Sequence, residues 1–372
     1  MVFSPLGLFF VGAAAEQAGH TVDYVDLNVD PLPEGYDAYL VTGTTPQLKS
    51  MLEVGDVEGL KIAGGPHATM RPQDLKGFDY VVVGEGERII PTVLNGEWPK
   101  GIVCAERIKG EFPHPLRTWS HRYHYTLNGL PATHAMLSRG CPWKCAFCTA
   151  PLWNHKVSFM PFNWCEQELD TIANQGYAGV MFYDDTFTIN RRRVAIIGQM
   201  LKDRNLIWRC FVRSDTVTRE TANTLAHYGC VEVGMGVESG SDEILRTIHK
   251  ETTYEQNAEA VRILKDAGIR TKVFLVVGLP GETPETVELT KQWLREARPT
   301  DWDTALFVPY PGTPIHDYKE NYDIHWDAVE ADKMWWKGIP GHYEALCSTS
   351  ALTRQDIVRC RDEIDAIKKE IL

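Results

Sequence analysis

From residue 135 onward, apolar runs rich in β-branched side chains alternate with helix-period segments, and no other feature restricts the fold as strongly. The runs fall at 135–139, 178–183, 207–213, 231–237, 270–277 and 304–308, with amphipathic segments near 163–175, 191–203, 218–228, 254–267 and 283–297. Strand and helix repeating at this spacing predict βαβ units around a parallel sheet, and six units predict a partial (β/α)6 barrel. Ligands of such sheets gather at the carboxyl ends of the strands.

Polar residues stand at those ends. Tyr183-Asp184-Asp185-Thr186-Phe187 closes the second strand, Arg213-Ser214-Asp215 the third, Gly236-Val237-Glu238-Ser239-Gly240 the fourth and Gly278-Leu279-Pro280-Gly281-Glu282-Thr283 the fifth. Each alone has an ordinary reading: Asp184 and Asp185 could cap a helix, and Gly278 to Thr283 could be a turn before one. Four such groups in strand order point instead to a common site.

After the first apolar run comes Ser138-Arg139-Gly140-Cys141-Pro142-Trp143-Lys144-Cys145-Ala146-Phe147-Cys148, a Cys-x3-Cys-x2-Cys triplet. A structural zinc site needs a fourth Cys or His, and the nearest downstream candidate is His155. A disulfide framework suits a small secreted chain, not one of 372 residues. Cys thiolates on short loops bind iron–sulfur clusters, and three of them leave the fourth iron of a cubane open. Zinc and unligated buried thiols remain the other readings.

This triplet, followed by the four strand-end motifs and by Pro309-Tyr310-Pro311-Gly312-Thr313-Pro314, resembles the radical S-adenosylmethionine (SAM) superfamily. The resemblance implies a 4Fe-4S cluster on Cys141, Cys145 and Cys148, whose open iron chelates SAM. One electron, from an external reductant of the flavodoxin or ferredoxin type, then cleaves SAM to methionine and a 5'-deoxyadenosyl radical. By position, the family's SAM contacts become Phe147 beside the adenine, Asp184 at the amino group, Arg213 at the carboxylate and Glu238 at the ribose or amino group. Gly278 and Leu279 line the adenine.

Residues 21–26, 37–42, 60–63 and 79–83 read as short strands of a separate, small Rossmann-like α/β layer. Its loops carry Gly43-Thr44-Thr45, Gly64-Gly65-Pro66-His67-Ala68-Thr69 and Gly84-Glu85-Gly86-Glu87, where glycines admit close backbone approach to a ligand. With Pro5-Leu6-Gly7, these runs resemble the cobalamin-binding domain of the B12-dependent branch of the superfamily. The resemblance implies cobalamin contacts from Thr44, Thr45, Gly64, Gly65, His67, Gly84 and Gly86. No Asp-x-His-x-x-Gly motif is present, so His67 is not assigned as a cobalt ligand. The chain opens at Met1-Val2-Phe3-Ser4-Pro5, a stub for a first strand, and 43–60 is short for a helix and strand, so the domain reads as shortened.

These features divide the chain into 1–100 (cobalamin-binding-like), 101–130 (linker), 131–315 (partial barrel) and 316–372 (a short aromatic-rich and helical region). Prolines and the run His121-Arg122-Tyr123-His124-Tyr125 mark the linker as irregular, its aromatics packing between domains or lining a cavity. Trp326, Met334, Trp335, Trp336, His342 and Tyr343 are expected to close the barrel mouth or to pack. Thr353 followed by Ile357, Ile364, Ile367 and Ile371 predicts a capped docking helix. The other cysteines show no second clustered spacing, which disfavours an auxiliary cluster.

A net charge of −12 argues against a nucleic-acid face and favours a small-molecule or peptide substrate. No apolar stretch approaches the roughly 18 residues of a membrane span, and no cleavable signal pattern is read at the start. A cytoplasmic location, where thiols stay reduced, is expected. Together with the resemblance, these readings imply a cobalamin-dependent radical SAM enzyme, a methyltransferase to an unactivated carbon or phosphorus. A radical cyclase or rearrangement enzyme is the alternative, and a cobalamin or redox sensor without turnover is the alternative from another class.

Overall fold

A computed structural model describes residues 4–110, 112–149, 152, 155–327, 333–335 and 342–371. Met1, Val2, Phe3 and Trp336 lie outside the described residues. The chain forms two compact units. The first runs to Tyr125 and adds Ser158–Trp164; the second begins at Thr126 and takes in most of the chain from Cys165 on.

The first unit opens with helix α1 (Leu6–Gln17), which buries Leu6, Phe9, Phe10 and Ala13 to Ala15. Strands β1 (Ala38–Thr42), β2 (Leu60–Gly64), β3 (Tyr80–Val83) and β4 (Gly101–Cys104) lie side by side in that order, all parallel. Short helices α2 (Leu48–Glu53), α3 (Gly65–Met70) and α4 (Ile90–Leu94) connect them. Because side chains alternate across a strand, Ile62, Val82 and Val103 enter one core and Ala63 and Val81 another. The sheet is thus buried on both faces, as parallel sheets require.

Two expectations fail here. Residues 21–26 form no strand. The Asp26 carboxylate accepts from the Asn28 amide (3.0 Å) and the Tyr123 hydroxyl (2.8 Å), and Tyr24 stacks on Trp119, so side chains rather than a ladder hold this segment. Conversely β4 arises inside the stretch read as an irregular linker, where its four residues gave too short a run to register. Of the linker aromatics, Tyr123 packs within the first unit against Phe9 and Tyr24.

The second unit starts with β5 (Tyr125–Leu127) and β6 (Leu130–Ala135), joined through Asn128 and Gly129 at φ 52° and 76°, the positive pair that a tight hairpin demands. Along the chain follow β7 (Ser138–Arg139), then β8 (Ser158–Phe159) and the start of α5 (Phe162–Asn174), which group with the first unit, then β9 (Gly179–Phe182), α6 (Arg191–Asp203) and β10 (Ile207–Val212). The alternation continues through α7 (Arg219–His227), β11 (Cys230–Glu238), α8 (Asp242–Thr247), α9 (Tyr254–Asp266), β12 (Arg270–Val277), α10 (Pro284–Ala297) and β13 (Asp301–Leu306). The sheet order is β13-β12-β11-β10-β9-β6-β5, and β6 with β9 to β13 are the six parallel strands of a partial barrel.

Polar caps start the helices where the sequence turns from apolar run to amphipathic segment. Asn190, Thr218, Thr253 and Thr283 each accept from an amide in the first turn of α6, α7, α9 and α10. Strand alternation then sorts the faces. Trp208, Cys210 and Val212 of β10 are buried, while Arg209 and Phe211 are half-buried on the opposite face.

After α11 (Pro314–Asp317), α12 (Arg354–Ala366) begins at the expected cap Thr353 and is followed by α13 (Lys368–Ile371). α12 packs on β13 and buries Ile357, Cys360 and Ile364. No helix among the described residues is long and apolar enough to cross a membrane.

Candidate functional site

The cysteine loop is fastened at several points. The Gly140 amide, at φ 96°, donates to Asp185 Oδ2 at 2.8 Å. Within the loop the Cys148 amide donates to the Cys145 carbonyl (3.1 Å) and the Ala146 amide to the Ile248 carbonyl (2.8 Å). The Ala146 carbonyl accepts from the Ile315 amide (3.1 Å), so both sides of one loop residue are held. Cys145 is buried and Cys141 and Cys148 are half-buried. Burial pushes the Cys141 thiol up, opposed by a hydrogen bond from the Trp143 amide.

Among the described residues no group of three or more His, Cys, Asp or Glu side chains converges on a single ion. A cubane cluster makes no such demand, because each thiolate takes a different iron. Arg213 adds a favourable charge: its Nη1 lies 3.4 Å from Cys145 Sγ, a cation facing the thiol that would ionise on ligation. The donor set and this charge fit an iron–sulfur cluster.

Arg213 comes directly after β10 and is itself buried, with its guanidinium 4.4 Å from the Trp143 ring centroid. Burial opposes its charge, but hydrogen bonds to both Asp215 oxygens (3.2 and 3.1 Å) hold its pKa above the ordinary value. Its Nη2 also donates to the Lys250 carbonyl at 2.6 Å. Lys250 Nζ in turn meets Glu238 Oε1 at 2.7 Å, both side chains being buried.

Glu238 reaches that position through a register shift in β11 between Gly236 and Glu238 and a backbone φ of 65°. Phe147 packs on the apolar cluster that contains Leu279, and its ring centroid is 6.0 Å from Lys250 Nζ. Gly278, at φ 87°, donates its amide to Glu282 Oε2 at 2.6 Å. Phe147, Arg213, Glu238 and the Gly278-Leu279 turn thus come from four separate segments into one connected neighbourhood of the cysteine loop.

Asp184 does not join them. It is almost fully buried, and its oxygens accept from the Leu137 amide (3.0 Å) and the Ser138 hydroxyl (2.5 Å). Burial pushes its carboxyl up to about 6 against these hydrogen bonds. The amide of the preceding Tyr183 still bonds to the Ala135 carbonyl, so the strand ladder runs up to Asp184. It holds Leu137 and Ser138, the residues that lead into the cysteine loop. Four participants escaped the sequence reading as site residues: Trp143, Asp185, Lys250 and Glu282. Asp185 and Glu282 stood inside quoted motifs, whereas Lys250 carried no signal at all.

In the first unit the glycine-bearing loops come after the adjacent parallel strands β1, β2 and β3 at their carboxyl ends, where such sheets take ligands. Thr44 is exposed, and its amide and hydroxyl both bond to Gln47 Oε1 at 2.9 Å. His67 is buried, with Nδ1 3.2 Å from the Thr45 hydroxyl and its amide donating to the Gly43 carbonyl at 3.1 Å. It ties two loops together, and burial holds its pKa below the ordinary value.

Gly65 adopts φ 87°, and a Cβ there would lie 2.0 Å from Thr42 Oγ1. Gly84, at φ 95°, donates its amide to the Thr69 hydroxyl at 3.1 Å. Gly64 and Gly86 are half-buried. A Cβ on Gly64 would meet nothing nearer than 4.0 Å, leaving its peptide open to close approach. These loops fit a ligand held by backbone contacts.

Residues 136–294 match the model of the radical SAM superfamily, and residues 1–94 match that of the B12 binding domain. An uncharacterised methyltransferase of Pyrococcus horikoshii is 29% identical over 320 residues, 76% of this chain and 66% of that protein. The anaerobic magnesium-protoporphyrin IX monomethyl ester cyclase of Rubrivivax gelatinosus is 27% identical over 67% of this chain and 51% of its own. The chain therefore spans about half to two thirds of the length of these curated relatives. Among solved structures, the radical SAM methyltransferase TsrM from Kitasatospora setae, with cobalamin and a 4Fe-4S cluster bound, superposes with a TM-score of 0.74. That match has 17% identity and covers 98% of this chain and 88% of that one, a likeness of fold.

Proposed function

We propose that this chain, which belongs to the radical SAM superfamily and carries a B12-binding domain, is a cobalamin-dependent radical SAM methyltransferase acting on an unactivated carbon or phosphorus of a small molecule or peptide. The observation that carries this reading is that Arg213 meets Cys145 and, through Lys250, brings Glu238 beside the loop that bears Cys141, Cys145, Phe147 and Cys148. Methyltransferases among its relatives and structural neighbours support methyl transfer.

Cys141, Cys145 and Cys148 would hold the cluster, and the loops at Thr44 to Thr45, Gly64 to His67 and Gly84 to Gly86 would hold cobalamin. When bound, the cluster supplies the electron that cleaves SAM and cobalamin supplies a methyl carrier. Arg213 is already fixed by Asp215 and Lys250, so it can meet a carboxylate without losing side-chain freedom at that moment. Glu238 presents a carboxylate to an amino or hydroxyl group. Phe147, with Leu279 behind it, offers an apolar face to a flat base. A flavodoxin- or ferredoxin-type protein would deliver the electron.

Cyclisation without methyl transfer is the second reading, favoured by the Rubrivivax relative. Anaerobic reconstitution with iron, sulfide and hydroxocobalamin, then incubation with labelled SAM and a reductant, tests the proposal. Stoichiometric cobalt, four irons and SAM cleavage that Cys145→Ala abolishes are expected. Full SAM cleavage by that variant would overturn the assignment. With a substrate in hand, a gain of about one methylene marks methyl transfer, whereas loss of hydrogen marks ring closure.

A further inference from the structure

The turn after α8 reaches the site three times over. The Ile248 carbonyl accepts from the Ala146 amide (2.8 Å), which lies between Cys145 and Cys148. The Lys250 carbonyl accepts from Arg213 Nη2 (2.6 Å), and Lys250 Nζ pairs with Glu238 (2.7 Å). One turn of chain therefore touches the cysteine loop, the guanidinium and the carboxylate.

The backbone around it is unusual. His249 and Glu251, on either side of Lys250, have φ of 51° and 59°, and Glu238 has 65°. Residues other than glycine occupy this region at a cost and persist only where the surroundings fix them. Lys250 itself is only 5% exposed, and a buried ammonium is costly without its counter-charge.

β11 itself makes room for the pair two residues before Glu238. A Cβ on Gly236 would fall 2.3 Å from Glu238 Oε1 and 2.9 Å from Lys250 Nζ. Position 236 thus carries no side chain where the two charges meet.

From these contacts we infer that Lys250 is a positioning residue for SAM: its carbonyl holds the Arg213 guanidinium and its ammonium holds the Glu238 carboxylate, beside the cysteine loop. This inference rests on the reading of the site as a SAM site. A buried pair with a purely structural role tolerates joint replacement of both partners by apolar side chains of similar volume, and loss of one partner alone then appears in the unfolding midpoint. A positioning pair needs its cation, at that place.

The test uses the reconstituted full chain and reads iron content, unfolding midpoint and the SAM dissociation constant by equilibrium binding. Lys250→Met removes the charge while keeping much of the volume. Gly236→Ala keeps both charges and displaces them. Both variants are expected to retain iron and to bind SAM at least about tenfold more weakly. Lys250→Arg, and ethylammonium added to Lys250→Ala, are expected to recover part of the affinity.

Wild-type affinity in both Lys250→Met and Gly236→Ala overturns the inference and leaves the SAM site standing. Weakened binding that neither arginine nor ethylammonium restores also overturns it, in favour of a structural role. If Lys250→Met does not fold, Gly236→Ala decides by the same criterion. A wild-type protein that holds iron but binds no SAM overturns both the inference and the reading beneath it.

Discussion

The Gly140 amide donates to the Asp185 carboxylate at 2.8 Å, one residue ahead of Cys141. The carboxylate fixes the loop's entry, where Gly140 adopts φ 96°, and its charge also bears on Cys141.

Asp185→Ala should therefore loosen the loop rather than the fold. A hydrogen bond to a charged acceptor contributes about 1.5–3 kcal/mol, and its loss should appear as faster release of iron to a chelator, with Cys141 intact. Chelator-challenge kinetics on the reconstituted protein, beside the unfolding midpoint, check this. Iron release at the wild-type rate would show that the loop is held elsewhere.

Glu282 makes stability depend on pH. Burial pushes its carboxyl up to about 8, against hydrogen bonds from the Gly278 and Leu279 amides, from an ordinary value of 4.5. Between these values the folded chain keeps a proton that the unfolded chain has released. Stability should thus fall as pH rises from about 4.5 to 8, by up to about 5 kcal/mol from this group. Asp184 acts in the same sense, but only up to about pH 6. Between pH 6.5 and 8 the buried His67 acts in the opposite sense, so the contribution of Glu282 is read as the difference in denaturant-unfolding slope between the wild type and Glu282→Gln, which is expected to flatten the fall.

Gly65→Ala should destabilise the first unit for two separable reasons. An L side chain at φ 87° carries a left-handed penalty of about 1–2 kcal/mol, and the new Cβ would lie 2.0 Å from Thr42 Oγ1. Adding Thr42→Ala removes the oxygen and should relieve the clash but not the backbone cost. Unfolding free energies of the single and double variants measure each part. A double variant no better than the single would assign the whole loss to the backbone.

Thr353 accepts from the Asp356 amide (3.2 Å), and its own amide donates to the Asp356 carboxylate (3.0 Å). Thr353→Ala should cost about 1 kcal/mol, while Thr353→Ser should cost little. Because α12 covers β13, faster amide exchange is expected in both elements. Hydrogen exchange with mass readout tests whether the loss spreads beyond the helix.

Much of the second unit was legible because local rules govern it. The apolar runs at 207–213 and 270–277 form β10 and β12, and Thr353 caps α12 as expected. The cysteine spacing and the residues ending each strand were equally legible, since a parallel sheet brings consecutive strand ends to one edge. The edges of the first unit were harder. Residues 21–26 had the composition of a strand, but Asp26 and Tyr24 bond to Tyr123, about a hundred positions along the chain. β4 was too short to announce itself.

What the sequence determined by itself was the alternation of strand and helix in the second unit from residue 163 on and the side chains delivered to those strand ends, because periodicity depends on near neighbours; the first barrel strand, expected at 135–139, is β6 at Leu130–Ala135. Only the tertiary structure decided which of those side chains face one another. Asp184 and Asp185 are adjacent, yet one is buried under β7 and the other holds Gly140. Lys250 meets Glu238 only because β11 shifts register and a turn with two left-handed residues carries the ammonium back across Gly236. Such meetings depend on how distant segments pack, and no local pattern of residues encodes that geometry.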